Sequence, residues 1–250
     1  MSTPEAPVPR EVVAGRSRKV YPDAMSQTDA DWAADAESRI LDAALPLVAT
    51  SGWTARTVRL AAQQAGLSEA DAALLLPSGP ADLAALLSRR HDRAGLQALT
   101  ELDPRNLKIR ERIQRAVEAR VEAAAKDEAA VRRLLGFLAL PTHLALGARL
   151  LWDSADGIWR WAGDTATDEN HYSKRVILSG VLGPAIALRL SAGRHAAEHY
   201  VFRRIGDVMT FEKWKAGLPK VDLGFKVAGG LGKLRYGLKP KPSQTPPPAP

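Results

Sequence analysis

Apolar residues recur at three- and four-residue spacing along almost the whole of this 250-residue chain, and no sustained period-two alternation interrupts them. The pattern predicts an all-α fold. Helices are expected at about residues 31–50, 55–64, 68–76, 80–98, 104–125, 127–139, 141–162, 168–190, 195–216 and 221–238. The two ends break the pattern. Residues 1–30 mix bases, acids and prolines, too polar for a core and too acidic for a transit peptide, and read as a flexible arm. The proline-rich residues 241–250 cannot be helical. Between these tails we expect one helical domain at 31–216, with 101–216 as its ligand and dimerisation part, and then a basic amphipathic segment at 217–240.

Three stretches refine the picture. In "LLGFLALPTHLALGARLLW", residues 134–152, Leu and Phe fall on every face, which predicts a helix surrounded by apolar matter, either plain core or the wall of a cavity. Downstream, Trp152 and Trp159 share a helix face with Asp156 one turn from each. A carboxylate there needs a cation, and Lys174 and Arg175 are the candidates, as a structural pair rather than a catalytic acid. The connecting "GDTATDENHYSKR", residues 163–175, reads as a helix corner. Gly163 can end one helix in the left-handed conformation, Thr167 or Asp168 can cap the next, and Glu169 falls where the helix dipole favours an acid. Pro184 should kink that second helix.

The third stretch, "GWTARTVRLAAQQAGLS" at residues 52–68, has the layout of a helix-turn-helix: Val58, Ala61 and Ala62 on a short helix, a turn at Gly66, and Ser68 as N-cap. With "RILDAALPLVATSGW" before it and Pro77 after it, the chain resembles the TetR family of repressors over residues 39–83. Its second helix, "SEADAALLLPSG", lacks the chemistry to read DNA. Glu69 and Asp71 put negative charge where phosphates would approach, Ala73, Leu74 and Leu75 replace polar residues, and no base follows before Arg89. The element is a degenerate helix-turn-helix.

Composition and charge sharpen these readings. With 46% apolar and 25% charged residues the chain can bury a sizeable core, and with no cysteine it can have neither disulfides nor thiolate-ligated metal. No run of eighteen apolar residues and no signal peptide occur, so a cytoplasmic location is expected. The net charge of +7 is uneven. Residues 31–105 hold 7 Lys and Arg against 10 Asp and Glu, while residues 171–250 hold 14 against 4. Residues 195–199, "HAAEH", match the H-x-x-E-H arrangement of some zinc peptidases, but the arginines at 194, 203 and 204 oppose a cation and a third ligand is lacking, so no metal is expected. No G-x-S-x-G elbow and no P-loop are present. No catalytic residue is identified.

The basic excess gathers in "KVDLGFKVAGGLGKLRYGL". Leu223, Val227, Leu231, Leu234 and Leu238 form one apolar stripe at steps of four, four, three and four, flanked by Phe225, Tyr236 and the bases Lys226, Lys233 and Arg235. Such a helix suits the headgroup region of an anionic bilayer, and its five glycines make it a poor helix until it has a surface to fold on.

Taken together, "LWDSADGIWRWAGDTATDENHYSKR", "ALPLVATSGWT" and "RIGDVMTFEKWK" resemble the Coq-nine family of ubiquinone-biosynthesis accessory proteins over about residues 38–216. The resemblance implies a TetR-like helical bundle that forms homodimers and binds phospholipid and isoprenoid internally without acting on DNA. It further implies a non-catalytic role at the inner membrane, or on the matrix side of mitochondria, presenting a quinone precursor to a di-iron hydroxylase. No cofactor is expected beyond a bound lipid or isoprenoid quinone. Leu138, Leu150, Trp159, Leu178 and Leu182 are the expected pocket residues. The partner surface carries over onto Asp164, Asp168, Glu169, Asn170, His171, Tyr172, Lys174 and Arg175. Relatives commonly place Phe and Trp where this chain has Glu169 and His171, so a more polar contact is expected. The competing readings are a TetR-like regulator that binds DNA and a small apolar ligand, and a zinc hydrolase built on "HAAEH".

Overall fold

The computed structural model describes residues 27–165 and 169–216. The flexible arm and the cap residues Thr167 and Asp168 lie outside the described residues. So do the expected membrane residues Leu223, Phe225, Lys226, Val227, Leu231, Lys233, Leu234, Arg235 and Leu238. What is described is helical, with no strand. The helices are α1 Gln27–Ser51, α2 Ala55–Gln64, α3 Glu69–Leu75, α4 Pro80–Gln97, α5 Ile109–Ala125, α6 Glu128–Leu138, α7 Leu144–Trp161, α8 Glu169–Ala192 and α9 Arg194–Ala216.

Local chemistry sets the boundaries of the short helices. Thr54 accepts a hydrogen bond from the Thr57 N–H to open α2, and Ser68 accepts one from the Asp71 N–H to open α3. Gly66 between them takes φ 69°, a value that a side chain would oppose. From α1, Arg39 Nη1 donates to the Ala65 carbonyl at 2.7 Å, closing the C-terminal end of α2. Two short helices thus flank a glycine turn over the stretch where the helix-turn-helix is expected.

Two expected long helices are broken. The span 104–125 starts as a 3-10 turn at Pro104–Asn106, and the α-helix begins only after Lys108, whose N–H is accepted by Glu111. The span 141–162 likewise starts as a 3-10 turn at Pro141–His143, and α6 and α7 meet at a 99° bend. The reading of residues 134–152 as enclosed by apolar matter is corrected here. Proline ends the helical run, and Leu140 and Leu144 are left exposed at the corner. In contrast, α8 continues through Pro184 to Ala192.

A single apolar core runs from Ile40 and Val48 of α1 through Leu83 and Leu87 of α4 and Val117 of α5 to Leu182 of α8 and Val201 of α9. Helix α5 is its axis, packing on α4, α7, α8 and α9. Against α4 the approach is close, because a Cβ added at Gly95 would stand 2.9 Å from the Arg120 backbone. Gly95→Ala should therefore destabilise the fold by about 1–3 kcal/mol through overpacking. Gly136→Ala, in open space on α6, should be neutral or stabilising, because alanine is the better helix former. Thermal melting of the two variants checks the contrast.

Under this contact lies a buried polar network. Arg120 Nε donates to Asp92 at 2.5 Å, and Ser154 of α7 donates to the same Asp92 oxygen at 2.6 Å, tying three helices together. Next to it, His91 Nε2 lies 2.8 Å from Asp127 at the start of α6. Burial and the Arg120 charge hold the His91 imidazole below its ordinary range.

Candidate functional site

Residues of α5, α7, α8 and α9 line an open-sided cavity of about 360 Å³, within the range of about 300–1,000 Å³ common for small-ligand pockets. Its wall is aliphatic: Ile109 and Ile113 from α5, Ile177, Leu178 and Val181 from α8, and Ile205 and Val208 from α9. Trp159 closes the α7 side. The i, i+4 spacing of Ile109 with Ile113 and of Ile177 with Val181 places each pair on one helix face, so two adjacent turns front the same gap.

One end of the cavity is polar. It is formed by Arg112, Gly163, Asp164 and Lys174, where α7 stops and α8 begins. Gly163 takes φ 90°, which lets the chain leave α7, and Arg112 Nη1 donates to the Ala162 carbonyl at 2.8 Å, covering the end of that helix. Lys174 Nζ donates to Asp164 at 2.7 Å and stands 5.2 Å from the centre of the Trp159 ring. Arg175, only 1% exposed, bridges Asp156 at 2.6 Å and Asp164 at 3.0 Å and also donates to the His171 carbonyl. Of the two expected cations it is Arg175 that reaches Asp156, whose other oxygen is held by Arg160 at 2.8 Å. Lys174 serves Asp164 instead.

Burial raises the Asp164 carboxyl, but the hydrogen bonds and charges of Lys174 and Arg175 outweigh it and hold the group below the usual carboxylate range. A depressed folded-state value gives stability that is present above the ordinary carboxylate pKa and is lost as pH falls through the folded value. Stability should therefore decline with acid below about pH 4. In Asp164→Asn this acid slope should be shallower, as equilibrium unfolding across that window would show.

Of the five expected pocket residues, Trp159 and Leu178 line the cavity. Leu150 and Leu182 are buried without lining it, and Leu138 packs half-buried against the core at Gly147. The walls from α5 and α9 were not foreseen, because periodicity shows which face is buried but not which buried side chains front a gap. Of the expected partner residues, Asp164 and Arg175 are turned inward and spent on each other, as is most of Lys174. Tyr172 is exposed, with its ring 6.0 Å from Trp152 and 5.2 Å from His171. Glu169 and Asn170 occupy the first turn of α8, and Asp168 lies outside the described residues.

Elsewhere, α3 carries no cation and Leu74 is 73% exposed on it, although Arg56 and Arg59 are exposed on α2. In "HAAEH", Arg194 holds Glu198 at 2.7 Å and His195 projects into solvent, so the acid is engaged by a guanidinium. Among the described residues no group of three metal-ligating side chains assembles. Helix α8 between His171 and Ala192 has the length and mean hydropathy, 1.4, of a membrane span. One of its faces is spent on the core, through Leu178, Leu182 and Ala185, while Tyr172, Val176, Gly180, Pro184 and Ala187 look outward.

Residues 144–212, which supply three of the four cavity walls, match the model of the COQ9 family. Over 174 residues the chain is 30% identical to the bovine protein named ubiquinone biosynthesis protein COQ9, mitochondrial, covering 66% of this chain and 54% of the bovine one. The human protein of the same name is 29% identical over 64% of this chain and 53% of its own length. A Xenopus laevis relative, COQ9-B, is 26% identical over 76% of this chain and 69% of its own length. The chain spans about half the length of the bovine and human relatives.

Proposed function

This chain carries a COQ9 domain and is related to the COQ9 proteins, and from that premise we propose that it is a non-catalytic accessory protein of ubiquinone biosynthesis. It binds an isoprenoid or other lipid in the α5–α7–α8–α9 cavity and presents a membrane quinone precursor to the pathway's di-iron hydroxylase. The cavity itself is the observation that carries this reading. Its aliphatic wall offers burial to a hydrocarbon tail at about 25 cal/mol per Å², and its polar end at Arg112 and Lys174 offers donors to an oxygen-bearing head.

The supporting features are arranged around it. The exposed Tyr172, beside Trp152 and His171, forms the surface on which the hydroxylase docks, next to the polar end of the cavity. The outward face of α8, with its small and apolar residues, pairs with a second copy in a homodimer. The segment 217–240 holds the protein on the membrane. The relatives are named as mitochondrial, and the chain works on the matrix side of an inner membrane, or on the cytoplasmic side in a bacterium. Gentle purification followed by organic extraction should yield an isoprenoid or phospholipid reproducibly, and its consistent absence would remove the pocket claim. Deletion of 217–250 should abolish most flotation with liposomes.

The α2–α3 geometry favours a second reading, a TetR-like regulator of DNA. Its test is a salt-sensitive, sequence-selective gel shift. The acids on α3 and the exposed Leu74 argue against that result.

A further inference from the structure

Beyond that reading, a second cleft lies against the cavity, on the same two helices. Arg110, Phe202, Arg203, Arg204, Gly206 and Asp207 line it. The two sites alternate in sequence: Ile109 faces the cavity and Arg110 the cleft, and Arg204, Ile205 and Asp207 divide in the same way. Whatever engages the cleft therefore meets the wall of the cavity.

The cleft is cationic by construction. Arg110 lies with its guanidinium 4.8 Å from the centre of the Phe202 ring and close to the Phe202 carbonyl. Gly206 leaves room for that approach: a Cβ there would stand 3.1 Å from Arg110 Nη2, and the guanidinium would have to shift by a few tenths of an ångström. Arg204 pairs with Asp207 at 3.2 Å. Among the described residues neither Arg110 nor Arg203 has a carboxylate at ion-pair distance, and the cleft wall sets three arginines against the single acid Asp207. Two exposed apolar side chains are their neighbours in sequence, Phe202 at 52% on the cleft wall and Ile109 at 42% on the cavity side.

We propose that this cleft is a docking site on the folded body for the phosphate headgroups of anionic phospholipid at a bilayer surface, and that it turns the adjoining cavity toward the membrane. Arginine forks match phosphate oxygens, and exposed Ile109 and Phe202 can enter the acyl boundary beside them. A soluble polyanion would use the arginines but leave these two side chains in water. The site rests on the membrane part of the reading above and is separate from residues 217–240, whose basic residues lie on another segment.

The test uses the full chain and vesicles of phosphatidylcholine alone or with a minority of phosphatidylglycerol. Each basic residue near an anionic surface contributes roughly a fivefold gain in partitioning. Arg110→Gln/Arg203→Gln/Arg204→Gln should therefore lose partitioning into the anionic vesicles by about an order of magnitude or more. Arg56→Gln/Arg59→Gln/Arg93→Gln, with the same change in net charge on other faces, should lose far less. Arg203→Gln alone, which breaks no ion pair among the described residues, should show a loss of about fivefold with unchanged melting. Equal losses in the two triple variants, or equal binding of the wild type to both kinds of vesicle, would overturn the site. So would binding of a DNA oligonucleotide at the cleft that anionic vesicles do not displace. Co-purified lipid is measured in parallel. Its absence from the wild type would count against the cavity's ligand and leave the vesicle comparison to decide the cleft.

Discussion

Arg175→Met is expected to lower the stability of the fold by about 3 kcal/mol or more, the cost typical of breaking a buried ion pair by removing one partner. At roughly 2–4 °C per kcal/mol for a domain of this size, melting should fall by about 6 °C or more. The reason is geometric. The guanidinium is enclosed, bonded to Asp156 and Asp164 at once, and holds the His171 carbonyl, so it fastens the start of α8 to the end of α7. Without it Asp164 keeps Lys174, and Asp156 keeps the exposed Arg160 at 2.8 Å. Those residual pairs place the loss at the lower end of the range for buried pairs. Asp164→Asn and Arg175→Met act on one network, so the double variant should lose less stability than the sum of the two single losses, a coupling well outside additivity. Melting unchanged to within a degree would show that the corner is held by apolar packing alone.

Val181→Phe should reduce bound lipid by more than tenfold while leaving the protein folded. Val181 is buried on α8 and fronts the cavity. A phenyl ring there takes the room of two or three methylene groups of a ligand, each contributing about 0.8 kcal/mol. The sum of about 2 kcal/mol corresponds to roughly thirtyfold in affinity. Because the added atoms enter a void, the empty variant should melt at or above the wild-type temperature, as filling a cavity removes its cost. Lipid content equal to wild type would place the lipid elsewhere.

How far the sequence foretold the structure varied with the range of the interaction. Helices α2 and α3 could be placed from local signals, because Thr54, Gly66 and Ser68 act on residues three or four positions away. The α7–α8 corner was legible for the same reason at Gly163, and the pairing of Asp156 with Arg175 followed from the need to neutralise a carboxylate on an aromatic face. The share of Asp164 was not visible, since both acids lay within reach of both bases and only the turn geometry decides between them. The break at Leu107 and Lys108 and the bend at Pro141 were missed because the apolar period continues across both. The cavity was only half read. Trp159 and Leu178 sit in the recognisable segment, whereas Ile109 and Ile205 come from helices nearly a hundred residues apart. The Asp92–Arg120–Ser154 network is hidden for the same reason, as its members meet only when three helices have packed.

The central claim, that this cavity is the seat of an isoprenoid ligand, is tested most directly by photo-crosslinking. A benzoquinone carrying a short isoprenoid tail with a photoreactive terminus would be bound to the intact protein, irradiated, and its attachment sites read by peptide mass spectrometry. Labelling should concentrate on Ile113, Leu178, Val181 and Ile205, compete with unlabelled ubiquinone analogue, and fall away in Val181→Phe. Labels scattered over the exposed face of α8 or the α6–α7 corner, indifferent to competitor and to that substitution, would contradict it.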